Sequence, residues 1–174
     1  MKIHTSHKII DGALERHRIE LGPDLNVLRN HIYRGLNYQL LLLGAQAIPD
    51  SAALAWAVHD IGIWTASTFD YLEPSAALAR DLAAEYNIAD VDAAQEMIRQ
   101  HHRIRPADDR LTETFRRADL IDVSRGLLRS QVSRATIKTI VAELPYLGFH
   151  RFLARGLIGY GIRHPARPLP MLRW

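Results

Sequence analysis

The most regular pattern along the chain is a helical one. Between Asp24 and Gly44, large aliphatic residues recur every three or four positions, at Leu25, Leu28, Ile32, Leu36, Leu40 and Leu43. This spacing places them on one face of an α-helix. Asp24 is a typical helix cap and Gly44 a typical helix stop. The segment therefore predicts one long helix whose apolar face packs into a core.

Seven other segments have a helical period and boundaries of the same kind: residues 8–20, 49–61, 74–86, 90–102, 108–128, 133–144 and 149–157. Alternating β-branched runs, which would predict strands, are nearly missing. The chain is therefore predicted to be an all-α, single-domain helical bundle. We expect a helical lead-in over 1–22, a core over 23–145, and a C-terminal helix with a tail rich in Arg, Pro and Gly over 146–174 that packs on the core.

Composition narrows the possible functions. The chain has 174 residues, 48% hydrophobic and 24% charged, as expected for one soluble globular domain. The net charge is only +3, and no basic stripe is interleaved with aromatic residues, so we expect no nucleic-acid partner. No signal peptide is visible, and the longest apolar run, residues 40–44, is far shorter than the roughly 20 residues that span a bilayer. We expect a cytoplasmic protein with a small-molecule substrate, no stable membrane insertion and a possible homodimer. The Arg-rich segment 151–174 fits a membrane surface, a partner subunit or a strap over the domain's own core.

A polar pair interrupts an apolar segment at A-W-A-V-H-D-I-G-I-W, residues 55–64. Burying an unpaired ionised group is costly, so His59 and Asp60 need a salt bridge, a hydrogen-bond network or a metal ion. Three other predicted helices also carry such groups: His31, the pair His101-His102, and Asp119. The chain has no cysteine, so any metal must be held by imidazole and carboxylate groups. A helical bundle can bring such side chains together in its core.

The order His, His-Asp, His-His, Asp resembles that of the HD-domain superfamily of metal-dependent phosphohydrolases. The resemblance runs from His31 to Asp122. It implies a divalent transition metal (Fe, Mn, Zn, Co or Ni) and these ligands: His31, His59, Asp60 and Asp119. Asp60 is also implied as the catalytic residue that orients or deprotonates a water. Asp122, one helical turn after Asp119, would support a ligand or form a salt bridge, with Arg116 and Arg125 in reach.

A second level of resemblance concerns a second metal. The HD-GYP phosphodiesterases read roughly H-D-I-G-K, H-P and H-H-E, where this chain has H-D-I-G-I, E-P and H-H-R. This similarity implies one or two ions per chain, with Asp60 bridging them and a further ligand set of Glu73, His101 and His102. The alternative for Glu73 is a residue at a helix start, just before Pro74, where a negative charge is favourable.

The chain also departs from these relatives. Ile63 replaces the Lys of the HD-GYP enzymes, and the Gly-Tyr-Pro segment is missing, so cyclic dinucleotide hydrolysis is not expected. Ile63 also stands where nucleotidases of the superfamily carry a catalytic Glu. The metal site is therefore predicted more firmly than the substrate.

Three functions follow as hypotheses. The first is a phosphohydrolase that uses a metal-activated water on a small phosphorylated metabolite or nucleotide. In this hypothesis the phosphate of the substrate binds to arginine side chains. The candidates are Arg34, Arg103 and Arg105, and the alternative is that they are ordinary surface residues. The second is a hydratase or oxygenase of a small neutral molecule, as in the similar cyanamide hydratases and inositol oxygenases, which the apolar residues after the doublet would suit: Ile61, Ile63, Trp64 and Phe69. The third is a non-enzymatic regulatory module that binds a metal or a nucleotide.

Overall fold

A computed structural model describes residues 2–172, and its regular structure is entirely helical. The eight longer helices are α1 (Lys8–Arg16), α3 (Leu25–Leu43), α4 (Asp50–Val58), α6 (Leu72–Glu85), α7 (Val91–Gln100), α8 (Arg110–Val123), α9 (Arg134–Glu143) and α10 (Phe149–Arg163). The regular structure also includes two single helical turns, α2 (Arg18–Leu21) and α5 (Gly62–Thr65), and a 3₁₀ turn at Gly22–Asp24. The all-α, single-domain prediction is confirmed. No helix within residues 2–172 is long and apolar enough to cross a membrane.

Helix α3 lies in the middle of the bundle, packed against α4 on one side and α8 on another. Its predicted apolar face is buried, with Leu28, Ile32 and Leu36 at most 2% exposed. Gly35 lets α4 approach closely, because a Cβ there would lie 2.2 Å from the ring of Trp56. The Trp56 indole N–H donates to Gln39 Oε1 at 2.6 Å, which fixes the same contact. This close packing brings α3 and the end of α4 within reach of each other.

The helix ends follow the predicted signals in most places. Gly44 ends α3 in the left-handed conformation, at φ +66°, and the Asp90 carboxylate caps α7 by accepting from the Ala93 N–H. Asp24 stands at the N-cap position of α3, as predicted, but its side chain accepts no hydrogen bond from that helix. Its carboxylate instead accepts a hydrogen bond from Trp64 Nε1 at 3.1 Å, because the 3₁₀ turn before α3 directs Asp24 towards α5.

The C-terminal segment covers one side of the bundle. Helix α10 extends to Arg163, six residues beyond the predicted end at Leu157. The chain then returns, and Met171 packs with Ile63 and Tyr71 in a small apolar cluster. At the start of α10, Phe149 is buried and stacks on the His31 ring, with centroids 4.2 Å apart. Both ends of this segment therefore lie beside the polar residues predicted from the sequence.

Candidate metal centre

Three histidines of the predicted set share one orientation. In each, Nδ1 faces an oxygen acceptor: Asp122 Oδ2 at 2.8 Å from His31, the Trp56 carbonyl at 3.1 Å from His59, and the Ile98 carbonyl at 2.7 Å from His101. Because these oxygens only accept, each Nδ1 carries a proton and donates it, so that in the neutral ring the lone pair is on Nε2. Histidines that bind metals are held in this way by their surroundings.

The lone pairs of two histidines converge with a carboxylate. His31 Nε2 and His59 Nε2 are 3.1 Å apart, and Asp60 Oδ2 lies 3.4 Å from each. In a tetrahedral complex with bonds of about 2.1 Å, neighbouring ligand atoms are about 3.4 Å apart. Asp119 Oδ1 lies 3.4 Å from His31 Nε2 and 3.9 Å from His59 Nε2. His31, His59 and Asp60 therefore have the spacing that one small cation requires, and the fourth predicted ligand, Asp119, lies beside both histidines.

The same two carboxylates also face a second group of donors. Asp60 Oδ1 lies 3.7 Å from His101 Nε2, and Asp119 Oδ2 lies 3.8 Å from His102 Nδ1. The ligand atoms of Asp60, His101 and His102 lie within 4.8 Å of one another. Each carboxylate thus has one oxygen in each group, as residues bridging two ions do. Asp60 Oδ1 is buried and has no hydrogen-bond partner among the described residues, which costs about 1–3 kcal/mol unless a cation or water satisfies it.

The electrostatic environment keeps most of these groups in the state that binds metal. Burial lowers the pKa of His59 to about 4, and burial together with neighbouring His101 lowers the pKa of His102 to about 3, so both rings are neutral at pH 7. Burial opposes ionisation of Asp60, but the adjacent His59 and a hydrogen bond from His31 hold its pKa below the usual range. Burial also lowers the pKa of His31, yet hydrogen bonds to Asp119, Asp122 and Asp60 raise it well above its ordinary value. His31 thus carries a proton that a divalent cation would displace.

Asp122 supports His31, as predicted, but its salt-bridge partner is Arg34 rather than Arg116 or Arg125. The buried Arg34 donates from Nε to Asp122 Oδ1 at 2.6 Å and from Nη2 to Oδ2 at 2.8 Å. Its Nη1 donates to the carbonyls of Leu144 and Pro145, at 3.0 and 3.1 Å. All three nitrogens are occupied inside the fold. The predicted substrate-binding role of Arg34 therefore does not fit the structure.

Three other predicted residues form no hydrogen bond or ion pair with the ligands of the centre among residues 2–172. Glu73 is in the first turn of α6, its side chain is 61% exposed, and its carboxylate pairs with Arg99 at 3.1 Å. The helix-start alternative fits this position, and the predicted role as a ligand of the second metal does not. Arg103 donates to Gln100 Oε1 at 3.3 Å, and Arg105 is exposed.

An apolar cavity of about 240 Å³ opens onto the centre, bordered by α8, α10 and the C-terminal segment. Its polar lining residues are Asp60, Tyr71, His102 and Asp119. The others are apolar: Phe69, Leu120, Val123, Phe149, Leu153, Leu157, Leu169, Met171 and Leu172. Sequence reasoning missed most of this wall and also missed Tyr71, whose hydroxyl lies 2.7 Å from His102 Nε2. No local motif marks these residues, because they come from four distant parts of the chain.

Comparisons with protein-family models, curated proteins and solved structures gave no match. The description of the site therefore rests on its geometry. The protein is an all-helical domain with a buried His/Asp cluster that is compatible with an HD-like metal site.

Proposed function

We propose that the chain is a metal-dependent hydrolase of the HD type. The single observation that carries this proposal is the convergence of three histidine Nε2 atoms on two buried carboxylates, with every Nδ1 proton already donated elsewhere. The residue order that resembles the HD superfamily supports the same conclusion. The proposed ligands are His31, His59, Asp60 and Asp119, with His101 and His102 for a second ion.

A bound divalent ion lowers the pKa of a water from about 15.7 towards 7 and polarises an electrophile. The chain supplies the rest of the chemistry. Asp60 turns Oδ2 towards the two histidines and lines the cavity, and its Oδ1 has no partner that would compete for a proton. In a centre that holds only the first ion, we assign Asp60 Oδ1 as the acceptor of the water's proton.

Positioning of the ligands comes from the neighbouring helices. The His31 ring is held between Asp122, which accepts from Nδ1, and the stacked ring of Phe149. His59 is held by a carbonyl of its own helix α4 and by the edge of Trp56, whose ring centroid is 5.2 Å away. Such preorganisation means that the donors need little rearrangement when an ion binds.

Activity of the metal-loaded protein tests the proposal. The chain, purified without chelator and loaded in turn with Mn, Fe, Co, Ni or Zn, is assayed against neutral esters, neutral amides and phosphate esters, the last because the resemblance implies them. We expect metal-dependent hydrolysis in at least one class, lost in Asp60→Asn and kept in Glu73→Gln, whose carboxylate is exposed. If the protein holds metal but hydrolyses none of these compounds, the proposal is wrong, and a hydratase, an oxygenase or a regulatory module becomes the better account.

A further inference from the structure

The wall of the cavity beside the metal centre, as residues 2–172 form it, contributes no lysine or arginine. Of these thirteen lining residues, nine are apolar. Two of the four polar ones are the carboxylates Asp60 and Asp119. One divalent ion would only balance these two carboxylates, so a phosphate dianion that entered this space would lose its hydration with no cationic side chain to replace it. Burying an ionised group without a protein partner is strongly unfavourable.

Two buried arginines, Arg34 and Arg116, are not available to change this. Arg34 donates its side-chain hydrogen bonds to Asp122 and to two backbone carbonyls. Arg116 donates to Glu113 at 2.8 and 2.9 Å and to the Arg103 carbonyl at 3.1 Å. Sites that recognise phosphate normally present the forked donors of an arginine to it. In this chain the guanidinium groups of Arg34 and Arg116 instead bind carboxylates of the protein itself.

The size and shape of the cavity point to a small ligand. Its volume of about 240 Å³ lies below the usual range of about 300–1,000 Å³ for drug-sized ligands. Leu153 and Leu157 of α10 and Met171 of the returning C-terminal segment line it together with the carboxylates. A molecule inside it would meet hydrocarbon on most sides and polar groups at the metal end.

We propose that this cavity is the substrate chamber and that it takes a small uncharged molecule with a hydrocarbon body, whose electrophilic carbon faces Asp60 and Asp119. The inference rests on the proposed function and names its substrate class as a neutral ester or amide. In the reaction, water forms a new C–O bond and the bond from carbon to the leaving oxygen or nitrogen breaks. The proton accepted by Asp60 passes to the leaving group. Water is the only co-reactant.

Two probes with the same ring test the substrate class. Benzyl alcohol is neutral and phenylphosphonate is anionic, and neither is hydrolysed. Their dissociation constants are measured by calorimetry on the metal-loaded protein. We expect benzyl alcohol to bind at least about tenfold more tightly than phenylphosphonate, because only the anion must lose its hydration without a protein cation. Tighter binding of phenylphosphonate, or no binding of benzyl alcohol, would overturn the inference.

Two tryptophan variants of α10 locate the binding site. Leu157→Trp fills the cavity, whereas Ile158→Trp changes the next residue, which is 64% exposed and not part of the lining. We expect Leu157→Trp to weaken benzyl alcohol binding by about tenfold and Ile158→Trp to leave it unchanged. Equal effects of the two variants would contradict the location.

Metal content, measured on the same samples, separates this inference from the proposed function. A wild-type chain without metal refutes the proposed function. If the chain holds metal but binds phenylphosphonate more tightly than benzyl alcohol, only the proposed substrate class of the cavity is refuted. The comparison of the two probes on the wild type stands even if Leu157→Trp fails to fold.

Discussion

Replacing Asp122 by Asn should destabilise the fold and weaken the metal centre together. In the wild type the buried Asp122 accepts two hydrogen bonds from Arg34 and one from His31 Nδ1. Asparagine has a similar size but no charge, and one of its two terminal atoms is a donor. In either orientation the amide NH₂ therefore faces a donor of Arg34, and in one orientation that of His31 as well.

The larger cost comes from the arginine. Arg34 is 0% exposed, and its remaining acceptors are two neutral carbonyls, so Asp122→Asn leaves a guanidinium charge buried without an anion. Removing one partner of a buried pair costs about 3–5 kcal/mol of unfolding free energy. Metal affinity should fall separately, by about 10–100-fold, because His31 loses the carboxylate that fixes its tautomer.

Urea unfolding of the metal-free chain measures the first effect in a double-mutant cycle of Asp122→Asn and Arg34→Met. We expect the double variant to be more stable than Asp122→Asn alone, since methionine fills the space without a charge. The exposed pair Arg16–Glu85 is the control, and Glu85→Gln should cost less than about 1 kcal/mol. If the effects of Asp122→Asn and Arg34→Met simply add within about 0.5 kcal/mol, the two residues are not coupled and the reasoning is refuted.

Three further outcomes can be measured on the same protein. Gly62→Ala should lower the free energy of unfolding by about 1–3 kcal/mol, because the new Cβ would lie 2.7 Å from the Tyr71 carbonyl oxygen. Gly159→Ala, where a Cβ meets open space, should raise it by up to about 1 kcal/mol. Melting curves that rank the two variants the other way would contradict this. Burial lowers the pKa of His17, so the unfolded chain binds more protons than the folded one, and the free energy of unfolding falls as the pH drops below 6.5. His17→Gln should flatten that part of the plot of stability against pH. An unchanged slope would show that His17 makes no contribution. A chelator should lower the melting temperature of the wild type and leave that of Asp60→Ala unmoved, because only a chain that binds the ion is stabilised by it; equal shifts in both would argue against the centre.

Much of the fold could be predicted from the sequence because the signals are local. The period of α3 and the stop at Gly44 depend only on neighbouring residues, and so does the Asp90 cap. Asp24 shows the limit of such signals. It is a residue type that commonly caps helices, but its carboxylate accepts a hydrogen bond from Trp64, forty residues away, instead of from α3.

The ligand types could be predicted, but not which of them meet. His59 and Asp60 stand in an apolar segment, which is a strong sign of a buried polar site. Glu73 has the right chemistry and the right place in the order, yet it lies on the exposed side of α6. Its orientation depends on how α6 packs, and one sequence does not contain that information.

Arg34 fails for a related reason. It lies one turn after His31 on the same face of α3, so both side chains reach Asp122, which is far away in sequence. Reasoning from helical neighbours assigned Asp122 to Arg116 and Arg125 instead. The apolar chamber was beyond prediction because its walls come from α8, α10, the segment after α5 and the C-terminal segment.

The number of metal ions bound per chain is the most direct test of the account. It is measured by elemental analysis on protein purified without chelator, for the wild type, Asp60→Ala and Glu73→Ala. We predict one or two ions per wild-type chain, none in Asp60→Ala, and the wild-type number in Glu73→Ala, because the centre uses the buried carboxylate and not the exposed one. A wild-type chain without stoichiometric metal, or a Glu73→Ala variant that loses metal as Asp60→Ala does, would contradict the account.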